Sequence, residues 1–166
     1  MNPVDTNKPA TSADSSTPTR PAVIARPGEG VAVRAFGNEI LFQLTSEQSG
    51  GALNVGLATV PPGARVPPHI QTREEELFLV IEGRYRFSIN GEWKEVAPGG
   101  MVYIPRGVPH TFEVLGDQPG RHWVLMSPGG FDRFYARCAA ELFAQPGPPD
   151  FSRLPAINAE FGIRMV

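Results

Sequence analysis

The fold of this chain is decided by residues 63–83, which read GARVPPHIQTREEELFLVIEG. A Pro-rich turn leads into a short polar segment with one histidine, and an apolar run from Leu77 to Ile81 follows. Because every position of that run is apolar, we expect a strand covered on both faces, either between two sheets or under a partner subunit. Residues two apart on a strand share a face, so His69 and Gln71 are expected to project together.

Short apolar runs separated by glycine and proline extend on both sides of this stretch. The candidate strands are Val31–Phe36, Glu39–Thr45, Leu53–Val60, Glu76–Ile81, Arg84–Asn90, Met101–Ile104, Thr111–Leu115 and His122–Ser127. Asn90-Gly91 predicts a two-residue hairpin of type I′, because both central residues of that turn need positive φ. The 166 residues include 18 glycines and 18 prolines, a density that disfavours a helical bundle. The pattern therefore predicts an all-β sandwich or jelly-roll barrel.

The two ends of the chain differ from this central part, which we assign to residues 31–128. Residues 1–30 are rich in Pro, Ser, Thr and Ala, so we expect a disordered tail, at least as far as Thr19. Residues 129–166 are expected to form a helical extension. An amphipathic stripe in it has helical spacing and consists of Phe131, Phe134, Tyr135, Cys138 and Leu142. Gln145-Pro146-Gly147 is predicted to end this helix, and a second helix is predicted over Pro155–Phe161.

Charge and cysteine content exclude several classes of protein. The 15 Lys and Arg residues against 17 Asp and Glu give a formal net charge of -2, so neither nucleic acid nor a membrane surface is expected as a partner. The single cysteine, Cys138, rules out an internal disulfide and a multi-cysteine zinc site. There is no apolar stretch of the ~20 residues that a membrane span needs, and no secretory signal pattern. We therefore expect a cytoplasmic domain.

Two stretches carry residue types that bind metals. Besides His69 and Glu76 of the first stretch, residues 99–110 read GGMVYIPRGVPH and end on His110. Two imidazoles and one carboxylate suit a divalent transition metal and leave positions for water, substrate or O₂. Glu74 and Glu75 are interpreted as a solvated acidic run, with Glu75 as the fallback ligand.

These two stretches resemble the two motifs of the cupin superfamily. The first motif, G-x5-H-x-H-x3,4-E-x6-G, is matched by Gly63, His69, Glu76 and Gly83, and the second, G-x5-P-x-G-x2-H-x3-N, by Gly99, Pro105, Gly107 and His110. The likeness covers about residues 55–127, and the run from Pro105 to His110 is especially similar to the quercetinase-like monocupins. The chain departs from the motifs at Gln71, where the family has its second histidine, and at Val114, where it has an asparagine.

The resemblance implies a small jelly-roll β-barrel of two antiparallel sheets, usually a homodimer, with one divalent transition metal (Fe, Ni, Mn or Zn) inside. Carried over by position, the ligands would be His69, Glu76 and His110, with Gln71 as a weak fourth ligand through its amide oxygen. Glu76 is the expected catalytic residue, as acceptor of an acidic proton of the substrate. His122 is expected to line the pocket or to play a structural role rather than to bind the metal.

The resemblance to the quercetinase-like group further implies a metal-dependent oxygenase. We expect a dioxygenase that acts on a small aromatic or enolisable substrate, such as a flavonol-like or diketone compound. Two other classes stay open at this point. One is a metal-dependent isomerase, lyase or polyketide cyclase without O₂ chemistry, and the other is a cupin that binds a small ligand without catalysis.

Overall fold

The computed structural model describes residues 20–144 and 147–166, and within them the chain forms eleven strands, two α-helices and one 3-10 helix. The strands are β1 (Val31–Ala35), β2 (Asn38–Leu44), β3 (Asn54–Val60), β4 (His69–Gln71), β5 (Glu75–Glu82), β6 (Arg84–Ile89), β7 (Glu92–Val96), β8 (Met101–Ile104), β9 (His110–Leu115), β10 (Gly120–Ser127) and β11 (Ile163–Met165). The helices are α1 (Phe131–Leu142), the 3-10 helix (Phe151–Arg153) and α2 (Leu154–Glu160). The tail predicted as far as Thr19, and Gln145 and Pro146 of the predicted helix stop, lie outside the described residues.

Two antiparallel sheets form the barrel. One has six strands in the order β1-β2-β3-β10-β5-β8, and the other has five in the order β11-β4-β9-β6-β7. The core lies between them and is rich in aromatic and β-branched side chains, because alternate residues of each strand point inward. Its members include Ile40, Phe42, Val60, Phe78, Val80, Tyr85, Phe87, Ile104, Phe112, Val114 and Val124. The predicted fold class, a jelly-roll barrel of two antiparallel sheets with helices near its C-terminal end, is confirmed.

The eight predicted strands all appear, but three further strands were missed. β4 and β11 have only three residues each, too few to show alternation, and β7 is an exposed edge strand of mostly charged residues. The hairpin between β6 and β7 has the predicted geometry, with φ of 51° at Asn90 and 88° at Gly91. Sequence periodicity therefore predicts a strand only where alternate residues of that strand are buried.

The C-terminal segment packs across the barrel. Helix α1 buries the predicted stripe through Phe134, Tyr135, Cys138 and Leu142. Helix α2 is followed by Gly162, whose φ of 72° permits the chain to turn back as β11, which pairs with β4. The extension is therefore not purely helical, since its last strand joins the five-stranded sheet. Neither α-helix of the described residues has the length and apolar character needed to cross a membrane.

Strand β5 was predicted to be covered on both faces. Its inner face is buried through Phe78 and Val80, whereas Leu79 on the outer face is 37% exposed. Neighbouring outward side chains on β8 are also exposed, at 60% for Met101 and 52% for Tyr103. Within the described residues, no second sheet covers the outer face of β5, so the first alternative is wrong. Cover by a partner subunit stays a prediction.

Candidate metal centre

Three predicted ligands converge between the two sheets. His69 begins β4 and His110 begins β9, and the two are direct partners across these strands, with ring centroids 4.3 Å apart. Glu76 reaches them from β5 in the opposite sheet. One ligand atom from each of the three lies within 4.8 Å of the others. The barrel thus brings together residues from two separate stretches of the sequence.

Backbone carbonyls orient both imidazole rings. His69 donates from Nδ1 to the carbonyl of Pro67 at 3.0 Å, and His110 donates from Nδ1 to that of Val108 at 2.9 Å. Because a carbonyl can only accept, the Nδ1 atoms carry protons, and Nε2 is the atom that each ring can offer to a metal. A hydrogen bond of this kind to the non-ligating nitrogen is the usual support of a metal-binding histidine.

Within the cluster, His110 and Glu76 are buried and form a hydrogen-bonded pair, whereas His69 is half-buried. His110 Nε2 lies 3.1 Å from Glu76 Oε2, and the two side chains are 2% and 5% exposed. Burial by itself would lower the pKa of His110, but the hydrogen bond and charge of Glu76, together with the Val108 carbonyl, raise it above its usual value. Burial and the neighbouring His110 lower the pKa of His69, although Glu76 and Pro67 oppose that shift.

The donor set fits a divalent transition metal. With Nδ1 of His110 donating to Val108, the hydrogen bond between Nε2 and Glu76 Oε2 requires one proton between these two atoms. A proton at that position occupies the space between two ligand atoms, where a metal cation would replace it. Two imidazole nitrogens and one carboxylate oxygen in a buried site are a donor set that suits Fe, Ni, Mn or Zn.

The structure separates the three consecutive glutamates. Glu76 points into the barrel, whereas the fallback ligand Glu75 lies on the outside, accepting hydrogen bonds from Tyr103 at 2.8 Å and Arg106 at 3.0 Å. The expectation that Glu74 is solvated is wrong, because it is 8% exposed and its Oε2 has no partner among the described residues. Burial raises the pKa of Glu74, since the loop before β5 lies against the start of α1.

Gln71, the predicted fourth ligand, is 3% exposed and lines the same cavity as His69 and Glu76. Its Nε2 has no hydrogen-bond partner among the described residues. The side chain therefore lies at the site, as expected for a residue two positions from His69 on one strand. Ligation through its amide oxygen stays a prediction.

The cluster opens into a cavity of about 390 Å³ inside the barrel. Its wall is largely aromatic and aliphatic, with contributions from Ile40, Val60, Phe78, Phe112, Val124, Phe131, Phe134 and Tyr135. A volume of this order with an apolar wall and few polar groups is typical of small-molecule sites. A largely apolar cavity thus lies beside His69 and Glu76.

His122 lines this cavity, as predicted, and is held by Tyr85. The Tyr85 hydroxyl is fully buried and lies 2.9 Å from His122 Nδ1, its hydrogen-bond partner in the described chain. We assign the hydroxyl as donor, since this pairs its hydrogen and leaves the proton of the neutral ring on Nε2. Burial lowers the pKa of His122 to about 4, so the ring stays neutral near pH 7. A Cβ at Gly120 would overlap Tyr85, so glycine gives this pair its room.

Sequence reasoning missed the end of the cavity that is remote from the cluster. It is lined by Asn38 on β2, which β3 and β10 separate from Glu76 on β5, and by Phe151, Leu154 and Asn158 of the C-terminal segment. Asn158 is 6% exposed although it is polar. No motif marks these positions, because they reach the cavity only through the packing of the C-terminal segment. A polar residue amid the apolar positions of the short second helix was the one signal available.

Comparisons with known proteins agree with the motif reading. The cupin domain model matches residues 56–126. An uncharacterized protein of Streptomyces coelicolor is 31% identical over 99 residues, which are 58% of this chain and 88% of that protein. The polyketide synthase CurC of Streptomyces cyaneus is 32% identical over 74 residues, which are 45% of this chain and 48% of that protein. The chain spans about half the length of two of the curated relatives that it matches.

A solved structure carries the same fold. The crystal structure of a predicted oxalate decarboxylase of Thermotoga maritima has a TM-score of 0.58 and 20% sequence identity, with 63% of this chain and 98% of that chain covered. At this identity the likeness concerns the fold alone. Residues 56–126 therefore form a cupin domain by the matched family model, and the jelly-roll barrel with the motif positions gathered inside it agrees with that assignment.

Proposed function

We propose that this cupin is a metal-dependent dioxygenase acting on a small aromatic or enolisable substrate, such as a flavonol-like or diketone compound. One observation carries the proposal: a cluster of two imidazoles and one carboxylate, in which Glu76 and His110 are buried, opens into a largely apolar cavity of about 390 Å³. Two histidines with one carboxylate are the ligand set associated with non-haem iron oxygenases. The cavity supports a flat apolar substrate over a charged or sugar-like one.

His69, Glu76 and His110 would hold the metal, with Gln71 at its side. When bound, the metal would supply Lewis-acid polarisation of a substrate oxygen and, if redox-active, electron exchange with O₂. The carbonyls of Pro67 and Val108 fix the two rings, so little reorganisation is needed on binding.

The remaining steps belong to the protein side chains. Glu76 is the carboxylate at the site, and we propose that it accepts the acidic C–H or O–H proton of the substrate. The apolar wall excludes water, which strengthens this proton transfer and protects a reactive enolate. His122, with its proton on Nε2, is a hydrogen-bond donor available to a substrate oxygen.

Oxygen uptake tests the proposal. Full-length protein loaded with Fe²⁺, Ni²⁺, Mn²⁺ or Zn²⁺ is mixed with a flavonol, a β-diketone or a catechol, and O₂ consumption is followed beside product mass. We expect uptake of one O₂ per substrate with at least one redox-active metal. Glu76→Gln should abolish uptake, whereas the matched control Glu75→Gln, on the outside of the barrel, should keep most of it. Absence of uptake with every metal and substrate contradicts the oxygenase.

A second candidate is a polyketide cyclase-type reaction without O₂. It is favoured by the 32% identity to a protein named polyketide synthase CurC and by the apolar cavity. In this case the Lewis-acid role and the proton acceptor Glu76 suffice, since ring closure of a polyketone needs no oxidant. Turnover of a polyketone under strict anaerobiosis with Zn²⁺ or Mn²⁺ identifies this reaction, and its absence excludes it.

We propose that the molecule is a homodimer joined through the outer face of the six-stranded sheet. The support is the exposed apolar surface formed by Leu79, Met101 and Tyr103, next to Leu77 and Leu125 on paired strands. A second copy would give β5 its missing cover. Light scattering should report a dimer for the native chain and a monomer for Leu79→Glu, and a native monomer contradicts the proposal.

A further inference from the structure

The cavity has a second end that the chemistry proposed above does not use. From His69 and Glu76 it extends to the C-terminal segment, where Phe131, Phe151 and Leu154 close it. If one oxygen of the substrate is held at the cluster, much of the 390 Å³ cavity remains for the rest of the substrate. The far end therefore contacts whatever part of a ligand lies away from the metal.

Two amide oxygens at this far end have no hydrogen-bond partner among the described residues. They are Oδ1 of Asn158, in a residue that is 6% exposed, and Oδ1 of Asn38. Asn38 donates from Nδ2 to the Tyr135 hydroxyl at 3.4 Å, and its Oδ1 is the amide atom left without a partner. A buried acceptor without a donor costs on the order of 1–3 kcal/mol, so a native fold keeps one only where something else supplies the donor.

The cluster end offers an unpaired hydrogen-bond donor rather than an unpaired acceptor. Gln71 presents an Nε2 without a partner, which is a donor, and lines the same cavity. A ligand that satisfies both ends needs an oxygen acceptor near Gln71 and a hydrogen-bond donor near Asn158. Between them the walls offer aromatic and aliphatic contacts from residues such as Phe78, Phe112 and Phe134.

We infer that Asn158 and Asn38 form a hydroxyl-recognition subsite, and that the ligand is an aromatic compound with a hydroxyl group at the end remote from the metal ligands. The inference rests on the proposed function in one respect, namely that the substrate occupies this cavity. It adds what that function leaves open: the ligand carries a donor at its far end, and residues of the C-terminal segment and β2 select it.

The free-energy cost of an unpaired acceptor explains why this subsite should discriminate between a hydroxyl and an ether. A hydroxyl donates its one hydrogen to one of the two amide oxygens, so an ether in its place leaves that oxygen unpaired after water has been displaced and loses this hydrogen bond. A water in the free protein can donate to these oxygens, so a ligand that displaces it without supplying a donor loses affinity.

Calorimetric titration with a matched pair of probes tests the subsite. The probes are 2-naphthol and 2-methoxynaphthalene, which differ in the hydroxyl donor, and they are titrated anaerobically into the full-length protein as purified. We expect 2-naphthol to bind at least about 5-fold more tightly, from the gain of one hydrogen bond to a buried acceptor. Asn158→Leu should abolish this preference while binding of the methyl ether is kept. The control Gln118→Leu, at an exposed amide, should leave the preference unchanged.

Equal affinities for the two probes in the native protein, or an undiminished preference in Asn158→Leu, overturn the inference and leave a water-filled end. Should Asn158→Leu fail to fold, Asn38→Leu gives the same readout on β2, and the comparison in the native protein needs no variant. The result is separate from the proposed function, because binding is measured without O₂. If the protein prefers the hydroxyl but takes up no oxygen, the subsite is supported and the dioxygenase is contradicted. If it takes up oxygen but shows no hydroxyl preference, the dioxygenase is supported and the subsite is contradicted.

Discussion

The two ends of the cavity are built in different ways. At the cluster end, His69 and His110 are each tied to a backbone carbonyl, and Glu76 is paired with His110. At the C-terminal end, Asn38 and Asn158 keep oxygen atoms without partners. The first end is organised by the barrel before any ligand arrives, and the second is completed by what binds there. On the proposed function, the barrel strands would carry the reaction and the C-terminal segment with β2 would select the ligand.

The difference also has a topological origin. The cluster residues lie on β4, β5 and β9, which belong to the two sheets of the barrel and are common to the fold. The far end is supplied largely by α1, the 3-10 helix and α2, which lie outside it. Changes in the C-terminal segment can therefore alter which ligand is bound without disturbing the metal ligands.

The largest expected effect is at the cluster end. His110→Ala removes one of two imidazoles and leaves Glu76 buried without its partner, so we expect metal retention to fall by more than about 100-fold. The core packing of the barrel does not depend on this ring, so the variant should still fold. Elemental analysis after gel filtration, with circular dichroism as the folding check, measures both. Full metal occupancy in the folded variant contradicts the ligand set.

The cluster end could be predicted from the sequence and the far end could not, for a physical reason. Glu76 was preferred to Glu75 because of its six-residue step to Gly83, and that glycine has a φ of 81° where the chain passes close to the backbone of Gly120. Such spacing reflects strand and turn geometry, which is local. The position of Asn158 depends instead on how α2 packs across the barrel, and no local pattern encodes that.

Protonation of His122, in the cavity wall between the two ends, should make the free energy of unfolding depend on pH. Burial lowers the pKa of His122 to about 4, against 6.5 in the unfolded chain. Between these values the unfolded state binds a proton that the folded state does not, so stability falls as the pH drops from 6.5 towards 4, by up to about 3 kcal/mol. Urea unfolding at pH 7 and pH 4.5 measures this loss.

A double variant isolates the contribution of His122 from those of His69 and His110. Changing Tyr85 and His122 together to Phe removes both partners of the hydrogen bond and leaves no buried polar group behind. The loss of stability at acid pH should shrink in this variant. If the double variant loses as much stability at acid pH as the native protein, the pH dependence comes from titratable groups other than His122.

The far end depends on how firmly α1 is attached to the barrel. Asp132, in the first turn of α1, accepts hydrogen bonds from the backbone N–H and the hydroxyl of Ser46 at 2.9 and 3.0 Å. Asp132→Ala removes both from a buried site, so we expect a loss of about 2 kcal/mol in the free energy of unfolding. Ser46→Ala, which removes the hydroxyl alone, should cost roughly half as much. Metal binding should change little in either variant, because the cluster lies on the barrel strands; a large loss of metal would show that the two ends are coupled.

The smallest effect concerns Gln71, which stands between the two ends. If its amide oxygen lies at the metal while its Nε2 faces the ligand, Gln71→His replaces a weak donor with an imidazole and should raise Ni²⁺ affinity by about 10-fold in a chelator competition. Gln71→Leu, which removes the donor and keeps the bulk, should not raise it. The same Gln71→His variant loses the amide that we assign to the substrate oxygen, so its affinity for 2-naphthol should not rise with that for the metal. Unchanged or weaker Ni²⁺ binding in Gln71→His means that this side chain serves only the ligand, and the cluster end then consists of three protein ligands.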